Sequence, residues 1–195
     1  MVALSQLCSR ALWIEDGKIK RVGPAKEIVG AYAGESCLPS SHKITQGDGR
    51  VKFISSRVSN DGKGGENLVT NGDIYITVKF YVNETIQNPA CGISLSNHYG
   101  VSLTSINTVE LDKVMPVFKK GEMELTVKLE KVPYLPGSYK ADFWVMSPQG
   151  HIYAYIENAA TFTIAQTQLY GHQQIDNRWG CVYTKVSFMP GAGKD

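Results

Sequence analysis

The sequence has little of what usually announces a chemistry. Its four cysteines, Cys8, Cys37, Cys91 and Cys181, stand far apart with no CxxC pair, so neither a zinc site nor a disulfide framework is suggested and reduced thiols are expected. The four histidines, His42, His98, His151 and His172, share no metal-ligand spacing. Charge is nearly balanced, with 20 Lys and Arg against 18 Asp and Glu. A net +2 gives no basic field of the kind that nucleic-acid binding needs. No apolar run approaches 18 residues and the start lacks a signal-peptide layout, so a soluble cytosolic chain is expected. Asn83-Glu84-Thr85 matches a glycosylation sequon and is read as fortuitous without a secretory signal. There is no GxxxxGK[ST] phosphate loop either, hence nothing to cradle a triphosphate, and no ATPase or other enzymatic activity is expected of this chain. No cofactor is implied.

What is present is apolar and strand-like. With 195 residues, 43% hydrophobic and 19% charged, the chain is able to bury a full core. Residues 1–33 differ from the rest. Leu4, Leu7, Cys8, Ala11 and Leu12 recur at helical spacing, Trp13 to Ile19 reads as two short strands turning at Asp16-Gly17, and Ala25 to Tyr32 reads as a helix with Pro24 at its start. Such a piece cannot bury its apolar faces alone. Residues 34–50 lose periodicity and gain Gly, Ser, Pro and Asp, as a linker does. From Val51 alternating segments follow at turn-separated intervals: 51–58, 73–83 with Ile74, Ile76, Val78, Phe80 and Val82 on one face, 91–97, 101–106, and 122–131 with Met123, Leu125, Val127 and Leu129 on one face. This is the pattern of a mainly β, antiparallel, immunoglobulin-like β-sandwich over residues 51–188. A polar stretch from Gln166 to Gly180 leads to a last alternating run, Val182, Thr184, Val186 and Phe188, and residues 189–195 should fray. A strand on so long a leash is able to pair in its own subunit or in a neighbour.

The most informative stretch is Gly137 to Ile164, a β-hairpin around Ser147-Pro148-Gln149-Gly150. A four-residue loop would set Met146 opposite His151. Val145–Ile152, Phe143–Ala154 and Ala141–Ile156 then share a core face, and Trp144–Tyr153, Asp142–Tyr155 and Lys140–Glu157 share the outer one. A slip of one residue would bury Asp142 and Glu157, so the pattern specifies its own facing. Asn97-His98-Tyr99 reads as a solvated turn that could reach the same face.

Leu7 to Tyr32, LCSRALWIEDGKIKRVGPAKEIVGAY, resembles the last segment of an ABC-transporter nucleotide-binding domain, where Leu-Cys-Asp-Arg precedes a Gly-x-Ile turn and a later Gly. The sandwich carries a second resemblance: Leu135-Pro136-Gly137-Ser138-Tyr139, the Ser147–Gly150 turn, and Ile156-Glu157-Asn158-Ala159 leading into Phe162-Thr163-Ile164 are similar to the C-terminal region of Wzt-type ATPases, which export O-antigen polysaccharide. The resemblance implies a short α/β remnant of a nucleotide-binding domain followed by a carbohydrate-binding domain. It further implies a fragment of a longer ATPase acting in the cytoplasm at the inner face of the inner membrane, with a transporter membrane subunit as partner. In some members this domain is implied to bind the finished, capped, non-reducing end of the cargo glycan and license its export, and the last strand, here 182–188, to be exchanged in a homodimer.

A sugar ring offers axial C–H bonds to an aromatic platform and hydroxyls to polar groups. The hairpin's outer face supplies that pairing, with Trp144 as platform, Tyr153 and Tyr155 beside it and Asp142 and Glu157 as acceptors. Each has a plainer reading. Aromatic cross-strand pairs stabilise sheets by roughly 0.2–1 kcal/mol, Trp144 could equally pack under the tail or a dimer partner, and Lys140 opposite Glu157 would be an ordinary surface ion pair. The alternative function is therefore a dimerisation or regulatory sandwich of an ABC ATPase that touches no glycan. A glycan-modifying enzyme using Asp142 and Glu157 as paired carboxylates is the remaining class, with no cleft to favour it.

Overall fold

The computed structural model describes residues 2–36, 43–64, 67–167, 180–186 and 188. The first unit comprises helix α1 (Val2–Leu7), strands β1 (Arg10–Glu15) and β2 (Lys18–Pro24), and helix α2 (Ala25–Ser36). Asp16 and Gly17, both at positive φ, make the turn between β1 and β2, as Asp-Gly does in two-residue hairpins. The helical spacing of Ala11 and Leu12 misleads, because both lie in β1, where Trp13 is buried and meets Tyr32 of α2 edge-on. Leu7, Leu12, Ile14, Ile19 and Val22 remain exposed on this unit.

The remaining strands form two antiparallel sheets. One holds β3 (Lys43–Gly47), β10 (Ile152–Ile164), β9 (Gly137–Met146), β6 (Ala90–Asn97) and β7 (Ser102–Asn107), in that order. The other holds β4 (Val51–Ser59), β5 (Gly72–Val82) and β8 (Gly121–Val132). Strand β3 corrects the expectation of a linker over 34–50. Ile44 and Gln46 pair with Ile156 and Tyr155, and Gly47 sits where a Cβ would lie 2.5 Å from the Tyr153 carbonyl, so the polar composition concealed an edge strand.

The sandwich closes on alternating residues. Ile74, Ile76, Val78, Phe80 and Val82 are fully buried, each contributing about 1.5–3 kcal/mol relative to exposure. Phe80 of β5 meets Phe143 of β9 with ring centroids 6.0 Å apart, joining the two sheets. The buried Tyr139 hydroxyl donates to the Leu135 carbonyl four residues upstream, which gives the Pro-Gly-Ser-Tyr run its structural meaning.

The hairpin pairs differently from the simple reading, for a physical reason. Ser147 N–H donates to the His151 carbonyl, so the loop takes in His151 and Met146 pairs with Ile152. Bulges between Ile152 and Ala154, and between Ile156 and Ala160, then shift the register further. Val145 meets Ala154, Trp144 meets Tyr155, Phe143 meets Ile156, Ala141 meets Ala160 and Lys140 meets Thr161. Met146 is displaced by one residue, but beyond the first bulge the displacement is even, two and then four residues, so Ala141, Phe143 and Val145 stay in the core while their partners change.

Of the final alternating run, Val182 forms an isolated antiparallel bridge to Tyr134 and residues 183–186 are not in a strand. Most of its leash, 168–179, and the expected tail 189–195 lie outside the described residues.

Candidate functional site

The two outer faces of the sandwich differ in kind. On the three-stranded sheet, Arg57–Glu124, Lys79–Glu122 and Lys128–Asp73 ion pairs cover the surface, an ordinary solvated face worth little per pair. On the five-stranded sheet the outer face carries aromatics and hydroxyls.

Register builds that face row by row, since residues directly opposite on paired strands share a side. In the first row Gln46, Tyr155, Trp144, Gly92 and Asn107 lie across β3, β10, β9, β6 and β7. The Trp144 and Tyr155 rings are stacked, 5.7 Å between centroids and 10° between planes. The indole spreads over β6 because Gly92 has no side chain: a Cβ there would stand 2.1 Å from the indole Cε2. Trp144 is half-buried and one ring face is therefore supported from below.

In the second row Asp142, Ser94 and Ser105 lie side by side. Asp142 Oδ1 accepts from the Asn158 N–H at 2.8 Å, and Oδ2 accepts from the Tyr155 hydroxyl at 3.2 Å and from Ser94 at 3.4 Å. Asn158 stands at φ 51° within the second bulge, so one carboxylate ties the bulge, the tyrosine and β6 together. Burial, followed by the Asp142 charge, pushes the Tyr155 phenol above its ordinary pKa and keeps it a protonated donor. The third row places Thr161, Lys140, Ser96 and Ser102 together. At this end the 97–100 turn is closed by Asn97 Oδ1, which accepts from the Tyr99 and Val101 N–H groups, while the His98 N–H donates to the Ser138 carbonyl. Burial holds the His98 imidazole below its ordinary pKa, against the ring's own interaction with the Ser138 backbone.

The five residues named from the pattern thus divide. Trp144, Tyr155 and Asp142 come together, but Asp142 is an organiser whose oxygens are already engaged. Tyr153 does not belong to this face. It falls in the first bulge and is buried against the core, with the Arg50 guanidinium 5.2 Å over its ring and His151 against its edge. His151 also contacts Asp48 at 3.0 Å. Glu157 is exposed and pairs in register with Lys43 of β3, whereas Lys140 faces Thr161, because the second bulge intervenes. Gly92, Ser94, Ser96 and Gln46 were missed. The alternation Gly92-Ile93-Ser94-Leu95-Ser96 already shows a small, polar outer face; what it does not show is that β6 lies beside β9.

Among the described residues no three His, Cys, Asp or Glu converge to hold a metal ion, and no helix is long and apolar enough to cross a membrane.

The model of the Wzt C-terminal domain family matches residues 42–182. The chain belongs to that family. Among solved structures, the crystal structure of the C-terminal domain of Wzt is similar at TM-score 0.62 and 16% identity, covering 83% of this chain and 95% of that one; at this identity the likeness shows the shared fold. A Niemann-Pick type C2 protein from Japanese carpenter ant is similar at TM-score 0.42 and 15% identity over 64% of this chain and 98% of that one, and a β-D-mannosidase from Dictyoglomus thermophilum at 0.41 and 16% over 62% and 14%; scores this low carry no argument. Comparison with curated proteins finds no match. Membership in the Wzt C-terminal domain family sets the chain in an ABC-transporter context. The match beginning at residue 42 takes in β3, in keeping with its place in the sheet.

Proposed function

We propose that this Wzt C-terminal domain binds the cargo glycan of a polysaccharide exporter of the O-antigen type, recognising its non-reducing end, and that the outer face of the five-stranded sheet is where it does so. One observation carries the reading: the Trp144–Tyr155 stack laid on Gly92, with the hydroxyls of Ser94, Ser96, Ser105 and Thr161 and the Lys140 amine in the adjoining rows. A flat supported ring suits the apolar face of a sugar, and the rows beside it suit its hydroxyls. Binding proceeds without turnover, since Asp142 is engaged by Tyr155 and Asn158 and is not presented as half of a carboxylate pair. In this reading residues 1–33 are the end of a nucleotide-binding domain, the parent protein is the ATPase, and the domain works at the cytoplasmic face of the inner membrane beside the transporter's membrane subunit.

The test is titration calorimetry of the isolated protein with the polysaccharide of the producing strain. Trp144→Ala should weaken binding at least tenfold with the fold intact by circular dichroism; wild-type affinity in that variant would remove the site. The Val182–Tyr134 bridge supports a second element of the reading, a homodimer formed by exchange of residues 182–188.

A further inference from the structure

Of the three rows that build the outer face, only the third carries a cation. Lys140 stands there between Thr161 of β10 and Ser96 of β6, with Ser102 of β7 beyond, and Lys140, Thr161 and Ser96 are all half-buried. Among the described residues no carboxylate pairs with Lys140, whereas on the opposite sheet Arg57, Lys79 and Lys128 are each matched. Asp142, two residues along β9, does not take that part. Its Oδ1 accepts from the Asn158 N–H and its Oδ2 from the Tyr155 hydroxyl, so the acid is held by other groups while the amine is left to a ligand or to solvent.

A neutral sugar needs hydroxyl partners and no charge. A half-buried ammonium flanked by hydroxyls is instead the donor set for an anionic oxygen, with the amine acting as a point charge and the hydroxyls completing the bonds. Position narrows the choice further. Trp144 and Lys140 are four residues apart on β9, about 13 Å along a strand, which is more than one pyranose ring spans. Asp142 lies between them on the same face, and its charge disfavours an anion on the sugar that rests on Trp144. The row of Lys140 is the place for one. Beyond it the His98 N–H bonds the Ser138 carbonyl, and burial holds the His98 imidazole below its ordinary pKa, so at neutral pH that ring adds no competing cation.

We propose that the glycan bound on this face is acidic, and that Lys140, together with the Ser96 and Thr161 hydroxyls, binds a carboxylate or phosphate carried by a sugar next to the one stacked on Trp144. The proposal rests on the glycan-binding reading of the face and names the class of glycan and the residue that selects it.

Titration calorimetry with three forms of the producing strain's polysaccharide tests this: untreated, with its carboxylates reduced to alcohols by carbodiimide and borohydride, and with its phosphates removed by aqueous hydrogen fluoride. The wild-type protein should bind one of the treated forms about tenfold more weakly than the untreated one, as the loss of one hydrogen bond to a charged group requires, and the form that loses affinity identifies the anion. Lys140→Met, folded by circular dichroism, should bind the untreated form with that same lowered affinity and no longer distinguish it from the treated one, whereas Lys140→Arg should keep the distinction. Trp144→Ala should weaken the untreated and treated forms by equal factors, because it touches a different sugar. Wild-type binding that survives both treatments, or a Lys140→Met protein that still distinguishes the forms, would overturn the proposal and leave the glycan-binding reading standing. Failure of the wild-type protein to bind the untreated polysaccharide would remove that reading, and the proposal with it.

Discussion

Trp144 rests on Gly92. The indole of one strand occupies the volume that a side chain on the next would fill, with 2.1 Å between a built Cβ and Cε2, and the same indole stacks on Tyr155. The platform is thus made by three strands, and only one of the three contributes the tryptophan.

Gly92→Ala follows from this directly. The new methyl displaces the indole, breaks the parallel stack and should lower glycan affinity severalfold while leaving both sheets paired. Tryptophan fluorescence should shift with it, because Trp144 loses its support; an unchanged spectrum together with unchanged affinity would mean the indole does not lie over β6.

Asp142 holds the site in shape. Asp142→Ala leaves the Tyr155 hydroxyl and the Asn158 N–H without their acceptor and should cost about 1–3 kcal/mol of stability. Tyr155→Phe removes one of those bonds and should cost less. Urea unfolding of both single variants and the double variant gives the coupling; strict additivity would show that the two residues do not interact.

Tyr139→Phe isolates the buried hydroxyl bonded to the Leu135 carbonyl. The carbonyl loses its partner inside the sandwich, and stability should fall by about 1 kcal/mol, or about 2–4 °C in Tm for a chain of this size. Calorimetry checks it, and a Tm equal to the wild type would sink the account of the Pro-Gly-Ser-Tyr run.

His98 should give a pH dependence of definite sign. Its folded pKa lies below the ordinary 6.5 because of burial, so the unfolded chain binds more protons as pH falls through 6.5, and stability should decline below that point. His98→Gln should flatten this part of the stability curve. Titration of the imidazole by NMR with a midpoint above 6.5 would contradict the burial argument.

Much of this was legible in the residues. Strict alternation in 74–82 and 137–146 named the core face, because a strand has only two sides and one of them must be apolar. The Pro-Gly, Asp-Gly and Ser-Pro-Gln-Gly signals placed the turns, since few residues tolerate those dihedrals. The outward facing of Trp144 and Asp142 also held, as an even shift in register preserves the face.

Only the tertiary structure decided which strands are neighbours and where the register breaks. Tyr153 left the outer face for the core, Glu157 came opposite Lys43 in register, and Tyr155 took the place beside Trp144. These outcomes depend on two bulges and on an extra edge strand hidden in a polar segment, features set by long-range pairing and not by local preference. The support that Gly92 gives Trp144 is of the same kind: glycine in a strand looks like a weakness until the adjacent strand is known, and then it is the space in which the stacked indole lies.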